Sequence, residues 1–334
     1  MAILLTGGAG FIGSHVVRLL VNKYPQYRIV NLDKLTYAGN LENLRDVENA
    51  PNYTFVKEDI CRYEKMQEIF RTYSIDGVIH LAAESHVDRS IENATDFART
   101  NVTGVLNLLD CARRYWARGE GYVGGVRFLQ VSTDEVYGAQ PLEGGKPFAE
   151  GDGLCPRSPY AASKAAADLF VMSYWETHRL PVCISRCCNN YGPGQYPEKL
   201  IPLCIARALD HQNVPIYGDG KNVREWIHVR DHCRALLAVL QRGRPGEIYH
   251  VGSGLERDNL TIVRTVISLL ARKDEEIGEG LIEFVADRKG HDRRYAISCD
   301  KTTQALGWQA KIPFDAGLAQ TVGWYAAHPE ACRP

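Results

Sequence analysis

Tyr160 and Lys164 lie four residues apart, directly after Pro159. On a helix that spacing puts both side chains on one face. A phenol with a pKa of about 10 is a poor base at neutral pH. A neighbouring ammonium favours the phenolate, so Lys164 is expected to lower the pKa of Tyr160. Such a pair can take the proton of a hydroxyl while its carbon gives up a hydride. Ser132 and Thr133 end a preceding apolar run, and their hydroxyls are expected to hydrogen-bond the same substrate hydroxyl. Asp134 and Glu135 follow at once. A carbinol oxidised to a ketone acidifies the adjacent C–H bond. A base can then remove that proton while an acid protonates a departing hydroxyl. Two neighbouring carboxylates in different environments can have their pKa values pushed apart for those two tasks.

A hydride needs an acceptor, and the N-terminus supplies a place for one. Gly7, Gly10 and Gly13 stand in Thr6-Gly-Gly-Ala-Gly-Phe-Ile-Gly13, between an apolar strand and a helix-spaced segment. Glycine suits a tight turn, a backbone close to a pyrophosphate, and close helix–strand packing. The amides around Phe11 and Ile12 then face the phosphates. Asp33 ends the second strand, where a carboxylate binds adenosine ribose hydroxyls and repels a 2′-phosphate. This favours NAD, although Lys34 next to it softens the preference. Lys34, Thr36, Asp59, Ile60, Leu81, Ala82 and Ala83 follow strand ends, which line the cofactor crevice in such sheets. Ser85, Thr100 and Asn190 complete the candidate cofactor set, with Tyr160 and Lys164.

These residues need a frame, and the first half of the chain alternates in type. Strands are expected over Ile3–Thr6, Arg28–Asp33, Tyr53–Lys57, Gly77–Leu81, Val126–Ser132 and Pro181–Arg186. Helices are expected over Phe11–Asn22, Tyr63–Tyr73, Asp96–Trp116 and Ser158–Thr177. The alternation predicts an α/β fold with a doubly wound parallel sheet of Rossmann type. After Asn189 the texture changes to loops and short elements, with turns at Gly218–Gly220 and Gly252–Gly254. Ile248–Val251 reads as one more strand returning to the first lobe. The expected division is a dinucleotide-binding domain over 1–186 and 225–252, with a smaller, interleaved C-terminal substrate domain over 187–224 and 253–334.

A chain of 334 residues suits two lobes. The net charge is −1 and no basic run stands out, so neither nucleic acid nor an anionic membrane is an expected partner. No apolar stretch has the length of a membrane span. The first residues read as a strand and not as a secretion signal, so a cytoplasmic protein is expected. Ten cysteines include no Cys-x-x-Cys pair, and no metal site is expected. His228 and His232, four apart, are expected to be ordinary residues near a helix start.

With Tyr160, Lys164 and the glycine loop in place, the chain resembles the extended short-chain dehydrogenase/reductases over essentially its whole length. Ser-Thr-Asp-Glu-Val-Tyr-Gly, residues 132–138, is similar to the signature of the dTDP-glucose 4,6-dehydratases. The resemblance implies that Tyr160 is the base at C4 of the hexose, with Lys164 its partner. Asp134 would be the acid for the C6 hydroxyl and Glu135 the base at C5. GDP-mannose dehydratases and UDP-xylose synthases typically have serine at the position of Asp134, and epimerases lack both carboxylates. The loop Ala82–Ser90 resembles the family's cover over nicotinamide and hexose. Asn189–Gly192 and Pro197–Pro202 resemble its substrate loop, Pro215–Gly220 its nucleobase strand, and Arg288–Tyr295 its diphosphate clamp. The implied substrate residues are Ser85, Thr133, Asn189, Glu198, Lys199, Leu200, Pro215, Tyr217, Arg224, Asn259, Arg288, His291 and Tyr295. A nearly neutral protein needs local cations for a nucleoside diphosphate, and Arg224, Arg288 and His291 are expected to supply them. Tyr217 is placed to pack against a base. The implied substrate is dTDP-glucose, the implied cofactor NAD, and the implied assembly a homodimer through the helices near Thr100–Trp116 and Tyr160–Thr177. The competing readings are a UDP-glucose 4,6-dehydratase, a 4-epimerase and a non-catalytic NAD-binding regulator.

Overall fold

The computed structural model describes residues 1–332. Seven parallel strands form the central sheet in the order Glu247–Val251, Val182–Cys187, Arg127–Thr133, Gly77–His80, Ala2–Thr6, Arg28–Asp33, Tyr53–Lys57. Most of these strands are buried on both faces, which is why they read as apolar runs. From Ala2–Thr6 the chain winds outward in both directions. The crevice between that strand and Gly77–His80 is therefore the switch point where ligands bind in such sheets.

Helices cover both faces. Phe11–Lys23 and Val229–Arg242 pack on one side, and Tyr63–Tyr73, Gly104–Trp116 and Pro159–His178 on the other. The last begins at Ser158, whose hydroxyl accepts from the Ala161 amide at 3.1 Å, with Pro159 in the first turn. This cap fixes where Tyr160 enters the site. A third core joins Leu200–Leu209, Asn259–Ala271 and Phe314–Ala327 in the second lobe.

Two expectations change in detail. The single helix expected over 96–116 is Ala94–Ala98, a wide π-type turn over Arg99–Thr103, and Gly104–Trp116. Gly104 allows this segment to press on Ile60, since a Cβ there would lie 2.4 Å from the Ile60 side chain. Residues 225–228, grouped with the cofactor lobe on sequence, lie in the strand Val223–His228. That strand pairs with Asn189–Tyr191 and Glu256–Asp258, outside the main sheet. His228 caps the following helix, and His232 is buried against Asn190. Among the described residues, no group of three or more His, Cys, Asp or Glu could hold a metal ion, and no helix is long and apolar enough to cross a membrane.

Candidate active site

Every residue named above for cofactor or substrate lines one cleft of about 840 Å³ at the C-terminal ends of the strands. At its floor, Gly7 has φ +76°, and a Cβ there would lie 2.6 Å from the Ala82 amide nitrogen. A Cβ on Gly13 would lie 2.1 Å from the Gly7 carbonyl oxygen. Both glycines are thus required by the protein's own packing. Gly10 is different, because a Cβ there meets only the Gly7 oxygen at 3.4 Å. Glycine at that position suits a ligand's approach and not the fold itself, which fits a dinucleotide pyrophosphate.

Asp33 holds the loop from beside it. One carboxylate oxygen accepts from the Ala9 amide at 2.9 Å and the other from the Leu35 amide at 2.8 Å. The charge of Lys34 is taken up by Asp59 at 2.7 Å. The cation that weakened the sequence argument for NAD is therefore already paired.

Of the catalytic candidates, Thr133, Asp134 and Lys164 are buried, and Glu135 and Tyr160 are half-buried at the cleft. Lys164 is 5% exposed and donates to the Val131 carbonyl at 2.7 Å. Burial pushes its pKa down, while Asp168 opposes that. Tyr160 is hydrogen-bonded to Thr133. Burial, and then the charge of Glu135, pushes its phenol well above the ordinary range. Burial outweighs the lowering expected from Lys164, whose ammonium donates to the Val131 carbonyl. Ser132 is also corrected. Alternation along the strand turns its hydroxyl under the sheet, where it donates to Asp168 at 3.0 Å, so Thr133 alone of the two reaches Tyr160.

The two carboxylates differ as acid and base should. Asp134 is 2% exposed; one oxygen accepts from Thr133 at 3.2 Å, and Oδ2 is buried without a partner. Burial, reinforced by Glu135 and Glu225, raises its pKa well above the usual carboxylate range. Burial raises Glu135 as well, but Arg288, Arg224 and Lys199 oppose it. Burial favours the protonated form of both, and only at the glutamate do three cations oppose it.

At the far end of the cleft Arg224 donates to the Val223 and Asp292 carbonyls and lies 4.4 Å from the Tyr295 ring centre. Arg288 Nε is buried without a partner among the described residues, and its Nη1 lies 3.9 Å from Asp88. His291 does not add the expected cation. Burial and Arg288 lower its pKa to about 4, and Nδ1 is 2.6 Å from Asp287. Tyr217 stands 42% exposed, edge-on to His291.

A family model described as GDP-mannose 4,6 dehydratase matches residues 4–321. A probable dTDP-glucose 4,6-dehydratase of Sinorhizobium fredii is 49% identical, over 97% of this chain and 93% of that protein. The dTDP-glucose 4,6-dehydratase of Neisseria gonorrhoeae is 48% identical, over 97% and 95%. The chain belongs to the dTDP-glucose 4,6-dehydratase family. A crystal structure of the Streptomyces venezuelae dTDP-glucose 4,6-dehydratase, with NAD bound, superposes with a TM-score of 0.92 at 46% identity, covering 100% of this chain and 99% of that one.

As a dTDP-glucose 4,6-dehydratase family member, the chain brings further residues to its cleft that sequence reasoning did not single out. Cys187 lines it from the end of a central strand, and Gln195, Tyr196 and Trp226 from the second-lobe side. Asn101, in the wide helical turn, donates to the Glu84 carbonyl at 2.9 Å and to Ser163 at 2.8 Å, and accepts from the Glu84 amide at 2.9 Å. It ties the cover loop to the helix of Tyr160. No motif marks it; the only signal was a polar residue on the inward face of an apolar helix pattern.

Proposed function

We propose that the chain converts dTDP-glucose to dTDP-4-keto-6-deoxyglucose with NAD, the first committed step toward deoxysugars. The observation that carries this is the pair of carboxylates, Asp134 and Glu135, beside Tyr160 in a cleft that also holds the glycine loop. An oxidoreductase or 4-epimerase would leave both carboxylates idle.

The glycine loop and Asp33 hold NAD, whose nicotinamide takes a hydride from C4 and returns it to C6. Tyr160 accepts the C4 hydroxyl proton as that hydride departs, and Thr133 hydrogen-bonds the phenol. The Lys164 ammonium favours the developing phenolate. Ketone formation acidifies C5–H; Glu135 removes that proton and gives it back to C5 when hydride reaches C6 of the resulting enone. The Arg288, Arg224 and Lys199 neighbours of Glu135 stabilise the carboxylate before transfer. Asp134, kept protonated by burial, gives its proton to the C6 hydroxyl, which leaves as water. Arg288 takes a phosphate oxygen through its unpaired Nε.

The reading includes a cofactor domain over 1–186 and 229–252 and a substrate domain over 187–228 and 253–334, with residues 225–228 assigned to the second lobe by their strand pairing. It also includes a homodimer and a cytoplasmic setting. Leu169 at 63% and Phe170 at 40% exposure on Pro159–His178 support a helix-mediated interface.

The test is incubation of purified protein with dTDP-glucose and, separately, UDP-glucose, followed by mass and by the alkaline absorbance of the 4-keto product. Loss of one water from dTDP-glucose without net NADH is expected. Water loss from UDP-glucose alone would reassign the nucleotide. An epimer, or no water loss from either, would overturn the dehydratase reading.

A further inference from the structure

Beneath Lys164 runs a chain of buried polar side chains that this reaction scheme does not use. Asp168 lies one helical turn beyond Lys164, is 1% exposed, and does not line the cleft. Its Oδ2 accepts from Ser132 at 3.0 Å and from Arg186 Nε at 2.8 Å. Ser132 and Arg186 face each other across adjacent strands, so the sheet register fixes both against Asp168. Arg186, 3% exposed, also donates to the Tyr137 hydroxyl at 2.5 Å, with the Tyr137 ring 4.9 Å from its guanidinium. The Tyr137 hydroxyl meets His250 Nε2 at 2.7 Å, and His250 Nδ1 meets the Ser298 carbonyl at 2.9 Å.

A buried ion pair adds little to stability compared with apolar residues of the same volume. Its place in the molecule is more telling. The titratable groups around Lys164 are Asp168 on its own helix, Cys187 from Val182–Cys187 and His80 from Gly77–His80. From Arg127–Thr133 Lys164 is met by the Val131 carbonyl. His80, fully buried, is neutral, with a pKa of about 3, and burial pushes the Cys187 thiol up to about 12. Asp168 is thus the carboxylate in this surround, and an uncompensated buried ammonium tends to lose its proton.

We propose that Asp168, clamped by Arg186 and Ser132, is a positioning residue that keeps Lys164 charged on its seat at the Val131 carbonyl, one helical turn from Tyr160, with the Arg186–Tyr137–His250 run anchoring the clamp. This rests on the proposed dehydration. It requires only that Asp168 act through Lys164, and it places no part of the network in contact with substrate.

The test is the pH profile of dTDP-glucose dehydration by the full-length, NAD-loaded protein. Asp168→Asn keeps the side-chain shape and an acceptor for Ser132. Without the carboxylate, Lys164 loses its proton at lower pH, so activity should fall earlier as pH rises. The alkaline limb of kcat is expected to move about one pH unit toward acid. At neutral pH, kcat should drop about tenfold or more with KM within about twofold. Asp168→Glu should restore part of the limb. Asp168→Asn combined with Arg186→Met leaves no guanidinium buried without its carboxylate, so it should recover thermal stability lost by the single variant while keeping the shifted limb. A folded single or double variant with the wild-type limb would overturn the proposal. Wild-type turnover in the same assay reports separately on the reaction, so the two failures are distinguishable.

Discussion

Gly10 and Gly13 look alike as sequence, and the structure separates them. In Gly13→Ala the new Cβ would sit 2.1 Å from the Gly7 oxygen and 2.7 Å from the Gly8 Cα, both backbone atoms. The loop has to shift, at a cost of about 1–3 kcal/mol. That is roughly 2 °C of Tm per kcal/mol in a chain of this size. In Gly10→Ala the Cβ meets one atom at 3.4 Å, and the backbone, at φ −79° and ψ 177°, is one alanine adopts freely. The entropy lost by the unfolded chain favours the variant by about 0.4–1 kcal/mol. Alanine's weaker helix capping costs about as much. The NAD-free Gly10→Ala protein should therefore melt within about 1 °C of wild type. Its methyl group points where the pyrophosphate must come. An intrusion costing about 1–3 kcal/mol raises the Kd for NAD about 5- to 150-fold. Differential scanning calorimetry of NAD-free protein and calorimetric titration with NAD measure the two effects. Gly10→Ala protein that binds NAD within about twofold of wild type, or melts as early as Gly13→Ala, would refute the distinction.

Glu135→Gln should still oxidise C4 but lose elimination by about 10²–10⁴-fold, seen as enzyme-bound NADH without water loss. Normal elimination would remove Glu135 as the C5 base. Asp134 has a folded-state pKa raised above its unfolded one. Its contribution is fully present below the unfolded pKa and is lost as pH rises toward the folded value. Asp134→Asn should therefore be relatively more stable near pH 8 than near pH 4, compared with wild type, while dehydration falls at least about 100-fold; parallel Tm curves across that range would contradict the burial argument. Leu169→Glu, at a position 63% exposed in the single chain, should shift the light-scattering mass toward monomer with unchanged circular dichroism. An unaltered mass would remove this helix from the interface.

The elements that position the site were legible because they obey local rules. Glycine spacing, strand-terminal carboxylates and the Tyr160–Lys164 helical period each depend on neighbours in sequence. What escaped depends on the third dimension. The hydroxyls of Ser132 and Thr133 are adjacent in sequence, yet strand alternation sends one under the sheet and the other into the cleft. His291, expected as a cation because a nearly neutral protein needs local charges for a diphosphate, is kept neutral by burial and by Arg288. The wide turn that brings Asn101 to Glu84 and Ser163 interrupts a helix whose apolar pattern continues unbroken. The pairing of Val223–His228 with Asn189–Tyr191 joins segments far apart in the chain, and nothing in either segment names the other.

Asp33 has a bearing on how cofactor preference could change in this protein. Engineering or drift toward a phosphorylated dinucleotide would begin by replacing the acidic residue at this strand end. Here that carboxylate also bolts the glycine loop, through Ala9, and braces the left-handed Leu35, at φ 59°, through its amide. A small neutral substitute removes the repulsion and the scaffold together. Switching would need a second change that re-anchors both amides first, so the route between the two cofactors passes through a poorly binding intermediate for either.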